Sequence, residues 1–185
     1  DKDLEKTLKS KTFICTVGRP SYQKNLEMLI RGFEIVTKKN NKVHLFIIGA
    51  GEYSPRKDKI ISIINEKNLN TRITLLPWIS RKQVQTYIKN ARLYVSSSRY
   101  EGMPYSVIES MALSVPSVLT NTDGNRDLVI DKISGYLVEI GDYVEMANKI
   151  MNLLNKSELR KKLAFEAYKL FMQNHLLSNY MQKLT

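Results

Sequence analysis

Apolar residues fall along this chain in two kinds of segment, short continuous runs and longer stretches with a repeat of three or four residues. The continuous runs occupy residues 12–17, 43–48, 72–76, 91–96, 116–120 and 136–139. They are apolar on both faces instead of alternating with polar residues. This pattern is typical of strands in a parallel sheet that helices cover on both sides.

The stretches with the helical repeat alternate with these runs. They predict helices over residues 25–39, 57–67, 80–89, 104–113, 142–154 and 158–173. Right-handed crossovers then give an α/β fold, a Rossmann-like doubly wound parallel sheet of about six strands with helices on both faces. We interpret residues 1–11, which are polar and lysine-rich, as a linker or frayed helix, and residues 12–185 as a single domain.

Composition limits the kinds of site that the chain can hold. Its 185 residues are enough for one domain with a full hydrophobic core. The single cysteine, Cys15, excludes a disulfide framework and a multi-cysteine metal site. No apolar run approaches the roughly 18–20 residues of a membrane span. The chain begins at Asp1 without a signal-peptide pattern, and we interpret it as part of a longer protein.

The charge is strongly basic. Lys and Arg number 29 against 18 Asp and Glu, a formal net charge of +11. Such an excess is compatible with nucleic acid, an anionic membrane surface or a phosphate-bearing ligand, and also with a merely solvated surface. The basic residues are scattered and are not interleaved with aromatic ones as in an RNA-binding sheet, so we do not expect nucleic acid as a partner.

The segment after the first predicted strand carries candidate binding chemistry, because ligands of such sheets bind at the carboxyl ends of the strands. Gly18 allows a turn there. Arg19 and Lys24 place two cations beside a helix N-terminus, where a diphosphate would fit. The alternative is a solvated loop with two surface charges.

The segment after the fourth predicted strand carries the strongest candidates. Pro104 is expected at the first helical position, so that the amides of residues 105–107 would be unpaired donors able to bind phosphate oxygens. Glu101 precedes this helix, and Glu109 lies about one and a half turns inside it. The alternative for either glutamate is simple exposure to solvent.

Glu101 and Glu109, with seven residues between them, resemble the Glu-x7-Glu motif of retaining glycosyltransferases of family 4. These enzymes, also called glycosyl transferases group 1, have the GT-B fold. Further similar segments are residues 16–19 with Lys24, residues 46–51, residues 97–116 and residues 123–135. The resemblance extends from residue 12 to residue 141 with the motifs in the family's order.

The resemblance implies a C-terminal, nucleotide-sugar donor-binding domain. For the donor diphosphate it implies Gly18, Arg19, Lys24, Tyr105, Ser106 and Val107. For the donor sugar it implies Glu101, Gly102, Met103 and Pro104, with Glu101 as the catalytic residue that contacts sugar hydroxyls. Glu109 would bind the ribose, and Pro77, Trp78 and Ile79 would form the base site, where Trp78 could stack or simply pack.

The implied reaction transfers a sugar, with retention of anomeric configuration, from a UDP- or GDP-linked donor to a glycan or lipid-linked acceptor in cell-surface polysaccharide synthesis. Cations and a helix N-terminus can neutralise the leaving diphosphate, so we expect no metal and no other cofactor. The implied N-terminal acceptor domain is absent from this chain, which should therefore bind donor without transferring sugar. The expected location is cytoplasmic, with peripheral contact between the basic surface and the anionic inner face of the cell membrane.

Two other functions stay open from the sequence. One is a related GT-B nucleotide-sugar epimerase or phosphorylase, and the other is a non-catalytic basic interaction domain. The chain also departs from the family's pattern at three places, one of which is Asp127, where glutamate is common. Ser114 stands where glycine is usual, and Asn125 follows Gly124 where a second glycine is usual, which puts the close backbone approach at Asn125 in doubt.

Overall fold

A six-stranded parallel sheet forms the centre of the computed structural model, which describes residues 2–174. The strands are β1 (Phe13–Val17), β2 (His44–Ile48), β3 (Ile73–Leu76), β4 (Leu93–Ser96), β5 (Ser117–Thr120) and β6 (Tyr136–Val138). All neighbouring strands pair in parallel, in the order β3-β2-β1-β4-β5-β6. This confirms the predicted Rossmann-like sheet. The order reverses between β1 and β4, so the crevice for a ligand lies where these two strands end.

Eight helices precede, connect or follow the strands in the described residues. They are α1 (Lys2–Lys9), α2 (Leu26–Lys39), α3 (Lys57–Glu66), α4 (Arg81–Asn90), α5 (Tyr105–Ala112), α6 (Asp123–Arg126), α7 (Tyr143–Asn155) and α8 (Ser157–Asn174). Six of them correspond to predicted helices. The sequence did not predict α6, because four residues are too few to show a helical repeat.

The sheet separates two hydrophobic clusters, which explains why its strands are largely apolar on both faces. On one face Ile14, Leu45 and Ile47 pack against α2, α3 and α7. On the other face Phe13 and Cys15 pack against α1, α4, α5 and α8. Since successive side chains of a strand point to opposite faces, a strand buried on both faces favours apolar residues on both.

The N-terminal segment is a helix rather than a linker. Leu8 of α1 is almost fully buried in the second cluster, and α1 packs beside α4. Residues 2–9, which the prediction left outside the domain, are therefore part of the packed body. The predicted end of the domain at residue 185 lies outside the described residues. In residues 2–174, no helix combines the length and the apolar character that a membrane span requires.

Candidate functional site

The loops after β1 and β4 bring Lys24 and Glu101 together at the crevice. Gly18 directly follows β1 with a φ of 151°, and a Cβ atom there would lie 2.8 Å from the Lys24 Cε atom. Glycine thus leaves room for the Lys24 side chain to fold back across the end of the strand. The Lys24 Nζ atom lies 2.5 Å from the Glu101 Oε1 atom.

Glu101 is held by neutral donors as well as by this cation. The Ser98 hydroxyl donates to Glu101 Oε1 at 2.6 Å, and the Gln23 amide donates to Oε2 at 3.4 Å. The carboxylate side chain is only 7% exposed. Oε1 therefore has two close donors, whereas Oε2 has one long bond and spare capacity to accept. Sequence reasoning did not identify Gln23 or Ser98.

Hydrogen bonds across the crevice fix the loop that carries Lys24. The buried Ser97 hydroxyl donates to the carbonyl oxygens of Lys24 and Asn25, at 2.9 and 3.0 Å. The Arg99 guanidinium donates to Asn25 Oδ1 at 2.8 Å and to the Tyr22 carbonyl at 3.2 Å. These residues position the site, and their signal in the sequence is the run of polar residues directly after an apolar strand.

The loop that carries Glu101 rests on α6. The Gly124 amide donates to the Glu101 carbonyl at 3.0 Å. A Cβ atom on Gly124 would overlap the carbonyl oxygen of Gly102 and lie 2.7 Å from that of Glu101. The required close approach is therefore at Gly124. Asn125 is fully buried beside it, and its side-chain amide donates to the Thr120 carbonyl at 2.8 Å, so a side chain is accommodated at this position.

The start of α5 differs from the prediction. Pro104 has an extended ψ of 92° and is the N-cap, so the helix begins one residue later than expected. The Val107 amide donates to the Pro104 carbonyl at 2.9 Å, and the prediction that it is an unpaired donor is wrong. Within residues 2–174, the amides of Tyr105 and Ser106 donate to no backbone oxygen. The free donors are therefore two amides, next to Glu101.

Ser106 is also tied to the core through its side chain. Its Oγ atom lies 2.6 Å from the hydroxyl of Tyr94 on β4. Burial raises the pKa of Tyr94, so its phenol stays protonated. This contact links the first turn of α5 to the sheet beneath it.

Glu109 lies on α5 and contacts a different cation. Its Oε1 atom accepts from Arg81 Nε at 3.1 Å, and the Arg81 side chain is 80% exposed. Trp78, after β3, is 68% exposed and lies against Gly51, where a Cβ atom would come 2.7 Å from the indole Cδ1 atom. The Trp78 ring is thus a mostly open surface and not part of the core.

The remaining predicted contact residues differ in their exposure to solvent. Arg19 is exposed and, in the described part of the chain, forms no ion pair. Gly102, Met103, Tyr105 and Pro77 are exposed, Ile79 is half-buried, and Pro104 is buried. No group of three His, Cys, Asp or Glu residues that could hold a metal ion occurs in residues 2–174.

Residues 1–170 match the family model described as glycosyl transferases group 1. The chain belongs to this family. Its fold is that of the Rossmann-like C-terminal domain of GT-B glycosyltransferases. The group 1 resemblance given by the two glutamates and the surrounding motifs is thereby confirmed.

Two relatives and one solved structure show how the group 1 domain compares with longer proteins. The chain is 31% identical to the poly(ribitol-phosphate) α-N-acetylglucosaminyltransferase of Staphylococcus aureus (strain COL), over 90% of this chain and 33% of that protein. It is 30% identical to the capsular polysaccharide biosynthesis glycosyltransferase CapM of Staphylococcus aureus, over 91% of this chain and 43% of that protein. The crystal structure of a mutant of S. aureus TarM with fondaparinux, α-GlcNAc-glycerol and UDP superposes with a TM-score of 0.85. It is 30% identical and covers 95% of this chain and 35% of its own. The chain thus spans less than half of each of these relatives.

Ser114, where the group 1 pattern usually has glycine, adopts a left-handed backbone conformation. Ser114 follows the end of α5 with a φ of 55°, the left-handed region that glycine adopts most easily. Its amide donates to the Met111 carbonyl at 3.0 Å, and the Val115 amide donates to the Ser110 carbonyl at 2.9 Å. This pair of bonds is a Schellman motif, which explains why glycine is usual there.

Proposed function

We propose that this chain is the nucleotide-sugar donor-binding domain of a retaining glycosyltransferase. The substrate class is a UDP-linked sugar or its GDP-linked equivalent, and the whole enzyme transfers that sugar to a glycan or lipid-linked acceptor. The observation that carries the proposal is the meeting of Lys24 and Glu101 at the switch point of the sheet, beside the free amides of Tyr105 and Ser106. The UDP in the TarM structure supports uracil as the base.

The cationic side of the site suits the leaving group. When the bond between sugar and nucleoside diphosphate breaks, negative charge develops on the diphosphate. Lys24, Arg19 and the first amides of α5 can stabilise that charge, because cations and helix N-termini favour anions. This arrangement would require no metal and no other cofactor.

Glu101 would orient the sugar. Its Oε1 atom is engaged by Lys24 and Ser98, which fixes the carboxylate in one position. Its Oε2 atom retains capacity to accept hydrogen bonds from sugar hydroxyls. A diphosphate next to the Lys24 ammonium would share that cation with Glu101 and draw the donor sugar toward the carboxylate.

Glu109 and Trp78 would bind the nucleoside. The Glu109 Oε2 atom accepts from no side chain or amide of residues 2–174, so it can accept the ribose hydroxyls while Oε1 remains with Arg81. The exposed Trp78 ring offers an aromatic face for the base, with Pro77 and Ile79 on either side in the sequence. Base binding there would use stacking more than hydrogen bonds.

The acceptor and the cellular role are also part of the proposal. CapM is described as a capsular polysaccharide biosynthesis enzyme, and the first relative acts on poly(ribitol-phosphate). Both support a role in surface polysaccharide synthesis, with acceptor binding by a further domain of the longer enzyme. The net charge of +11 supports peripheral contact with the anionic inner face of the membrane.

Nucleotide binding by the 185-residue chain tests the proposal directly. UDP, UMP and uridine are titrated while amide chemical shifts are recorded, and affinities are measured by calorimetry. We expect UDP to bind most tightly and to shift the amides of Gly18, Lys24, Ser106 and Glu109. Absence of UDP binding at millimolar concentration, or equal binding of uridine and UDP, would refute the diphosphate site.

A further inference from the structure

A polar cavity is lined by residues other than those predicted to contact the donor. Its volume is about 390 Å³, and it is bounded by the loop before α2, the first turns of α2 and α3, and the start of α7. Its charged lining residues are Glu27, Arg31, Arg56, Lys59 and Arg99. None of these was assigned to the diphosphate, the sugar, the ribose or the base. We call this space the α2–α3 cavity.

The charges in the α2–α3 cavity are unbalanced. Glu27 is its single carboxylate, and it pairs with Arg56 and lies 3.5 Å from Lys59. Although burial alone would raise it, the pKa of Glu27 lies below its usual range, because its own backbone amide and Arg56 hydrogen-bond the carboxylate. Glu27 is therefore ionised at neutral pH and compensates one cation. Of the four positive charges in the lining, three have no carboxylate in the cavity to balance them.

Neutral groups, and not carboxylates, hold two of these cations. Arg99 donates to the Asn25 side chain and the Tyr22 carbonyl, and its Cζ atom lies 4.4 Å from the centroid of the Tyr22 ring. Arg31 lies over the Tyr143 ring at 6.0 Å. Within residues 2–174, neither Arg31 nor Arg99 has a carboxylate within 4.0 Å. Their charge is therefore available to a ligand while their positions are restricted by aromatic rings.

We propose that the α2–α3 cavity is a second anion site, which binds the phosphate group of a phosphodiester ligand independently of the donor nucleotide. A phosphate would relieve the repulsion among Arg31, Lys59 and Arg99, and planar guanidinium groups match phosphate oxygens in geometry. Binding there requires neither a nucleotide sugar nor transfer. The identification of this ligand with the acceptor rests on the proposed function. The site would then hold an anionic acceptor chain beside the Lys24 loop.

The size of the cavity favours a phosphate ester over free phosphate. Its volume falls in the range of roughly 300–1,000 Å³ that is usual for small-molecule sites, which is much larger than one phosphate ion. A neighbouring cavity of about 500 Å³ shares Arg31, Ile63 and Tyr143 with it and continues along α2. Beyond the shared residues, that cavity is lined by Lys38 and Lys67 but also by Glu34 and Glu66, so the phosphate group is assigned to the α2–α3 cavity alone.

The test uses inorganic phosphate and a synthetic glycerol-phosphate trimer, with glycerol as the uncharged control. We expect both phosphates to shift the amides of Asn25, Glu27 and Gly141, with or without saturating UDP. Tighter binding of the trimer would identify a phosphodiester ligand, and equal binding would identify free phosphate. A double variant, Arg31→Gln with Lys59→Gln, should weaken binding by about ten-fold or more, because charge-assisted hydrogen bonds are the strong ones.

The matched control removes the same charges elsewhere on the surface. Arg92→Gln with Lys39→Gln changes two exposed cations outside the cavity and should leave phosphate affinity nearly unchanged. Equal weakening by the two double variants would overturn the site, as would complete displacement of phosphate by UDP. Phosphate binding at the cavity in a chain that does not bind UDP would refute the proposed function and leave the second site standing.

Discussion

The ammonium group of Lys24 lies 2.5 Å from the carboxylate of Glu101, although the two residues are 77 positions apart in the chain. The side chains are only 22% and 7% exposed. They meet because β1 and β4 are neighbours in the sheet and both loops leave its carboxyl edge. The pair therefore joins the two halves of the fold at the place where the donor is proposed to bind.

Removal of the Lys24 charge should destabilise the fold. Lys24→Met leaves the buried Glu101 carboxylate without its cation, and breaking such a pair costs about 3–5 kcal/mol. We expect a loss of about 3 kcal/mol in the free energy of unfolding, measured with urea at neutral pH, and partial recovery when Glu101→Gln is added.

The control for this prediction is Lys38→Met. Lys38 pairs with Glu34 at 3.0 Å on the surface of α2, and its side chain is 69% exposed. Exposed pairs contribute about 1 kcal/mol or less, so this variant should remain close to the parent protein. Similar losses for Lys24→Met and Lys38→Met would show that burial of the first pair has no energetic consequence.

Glu109 should determine the preference for a ribose over a deoxyribose. The parent protein is expected to bind UDP more tightly than 2′-deoxy-UDP, because in the deoxy compound the Glu109 carboxylate would lose the 2′-hydroxyl as a hydrogen-bond donor. Glu109→Gln should weaken UDP binding by about ten-fold and reduce that preference, as measured by calorimetry.

Arg81→Gln separates this role from the surface ion pair. Arg81 contacts the same Glu109 oxygen but is largely exposed, so its loss should change neither the preference for the ribose nor the stability appreciably. A variant Glu109→Gln that still discriminates between UDP and 2′-deoxy-UDP as the parent does would contradict the ribose contact.

Gly124 should not tolerate a side chain, whereas Gly102 should. A Cβ atom at Gly124 would overlap the backbone of the loop that carries Glu101, and nothing lies within 4 Å of one at Gly102. We expect Gly124→Ala to lower the free energy of unfolding by about 2 kcal/mol or more and Gly102→Ala to have a much smaller effect. Urea denaturation of both variants provides the comparison, and equal stabilities would disprove the close packing at α6.

Most of the fold was predictable because strand and helix here differ strongly in their hydrophobic period. β1 shows why, since Phe13 and Cys15 pack in one core cluster and Ile14 in the other, so the run shows no alternation of polar and apolar residues. The short helix α6 was missed because its buried residues, Gly124 and Asn125, do not form an apolar repeat. The start of α5 was shifted by one residue, since proline is compatible with both the N-cap and the first helical turn.

The site was predictable as a set of residues but not as a set of contacts. Lys24 and Glu101 each stood out beside a strand end, yet their direct pairing depends on the strand order, which a single sequence does not specify. Asn25, Ser97 and Arg99 were missed because their hydrogen bonds connect segments more than 70 positions apart. Their residue types alone are equally compatible with a solvated loop.

Ser114→Gly should stabilise the domain. Ser114 has a φ of 55° at the end of α5, and a left-handed conformation costs a non-glycine residue about 1 kcal/mol. We expect the free energy of unfolding to rise by about 0.5–1 kcal/mol and the melting temperature to rise with it.

The control substitution for Ser114 should act in the opposite direction. Ser62 is exposed within α3, where glycine lowers helix stability, so Ser62→Gly should decrease the free energy of unfolding by roughly 0.5 kcal/mol. Stabilisation by both substitutions, or by neither, would show that the conformation at Ser114 carries no strain.

His44 should make the stability of the domain depend on pH below neutrality. Burial, with smaller contributions from Lys11 and Arg72, holds its pKa below the ordinary value of 6.5. The folded state then binds fewer protons than the unfolded state, so the contribution of His44 is fully present above pH 6.5 and is lost as the pH falls through the folded pKa. Its Nε2 atom lies 2.8 Å from the Thr74 hydroxyl, a contact that neutral imidazole can make as donor or acceptor.

We expect the parent protein to lose more unfolding free energy than His44→Gln between about pH 7.5 and about pH 5. An NMR titration should place the pKa of His44 below that of an unperturbed histidine. Parallel pH profiles for the two proteins would show that His44 titrates alike in the folded and unfolded states.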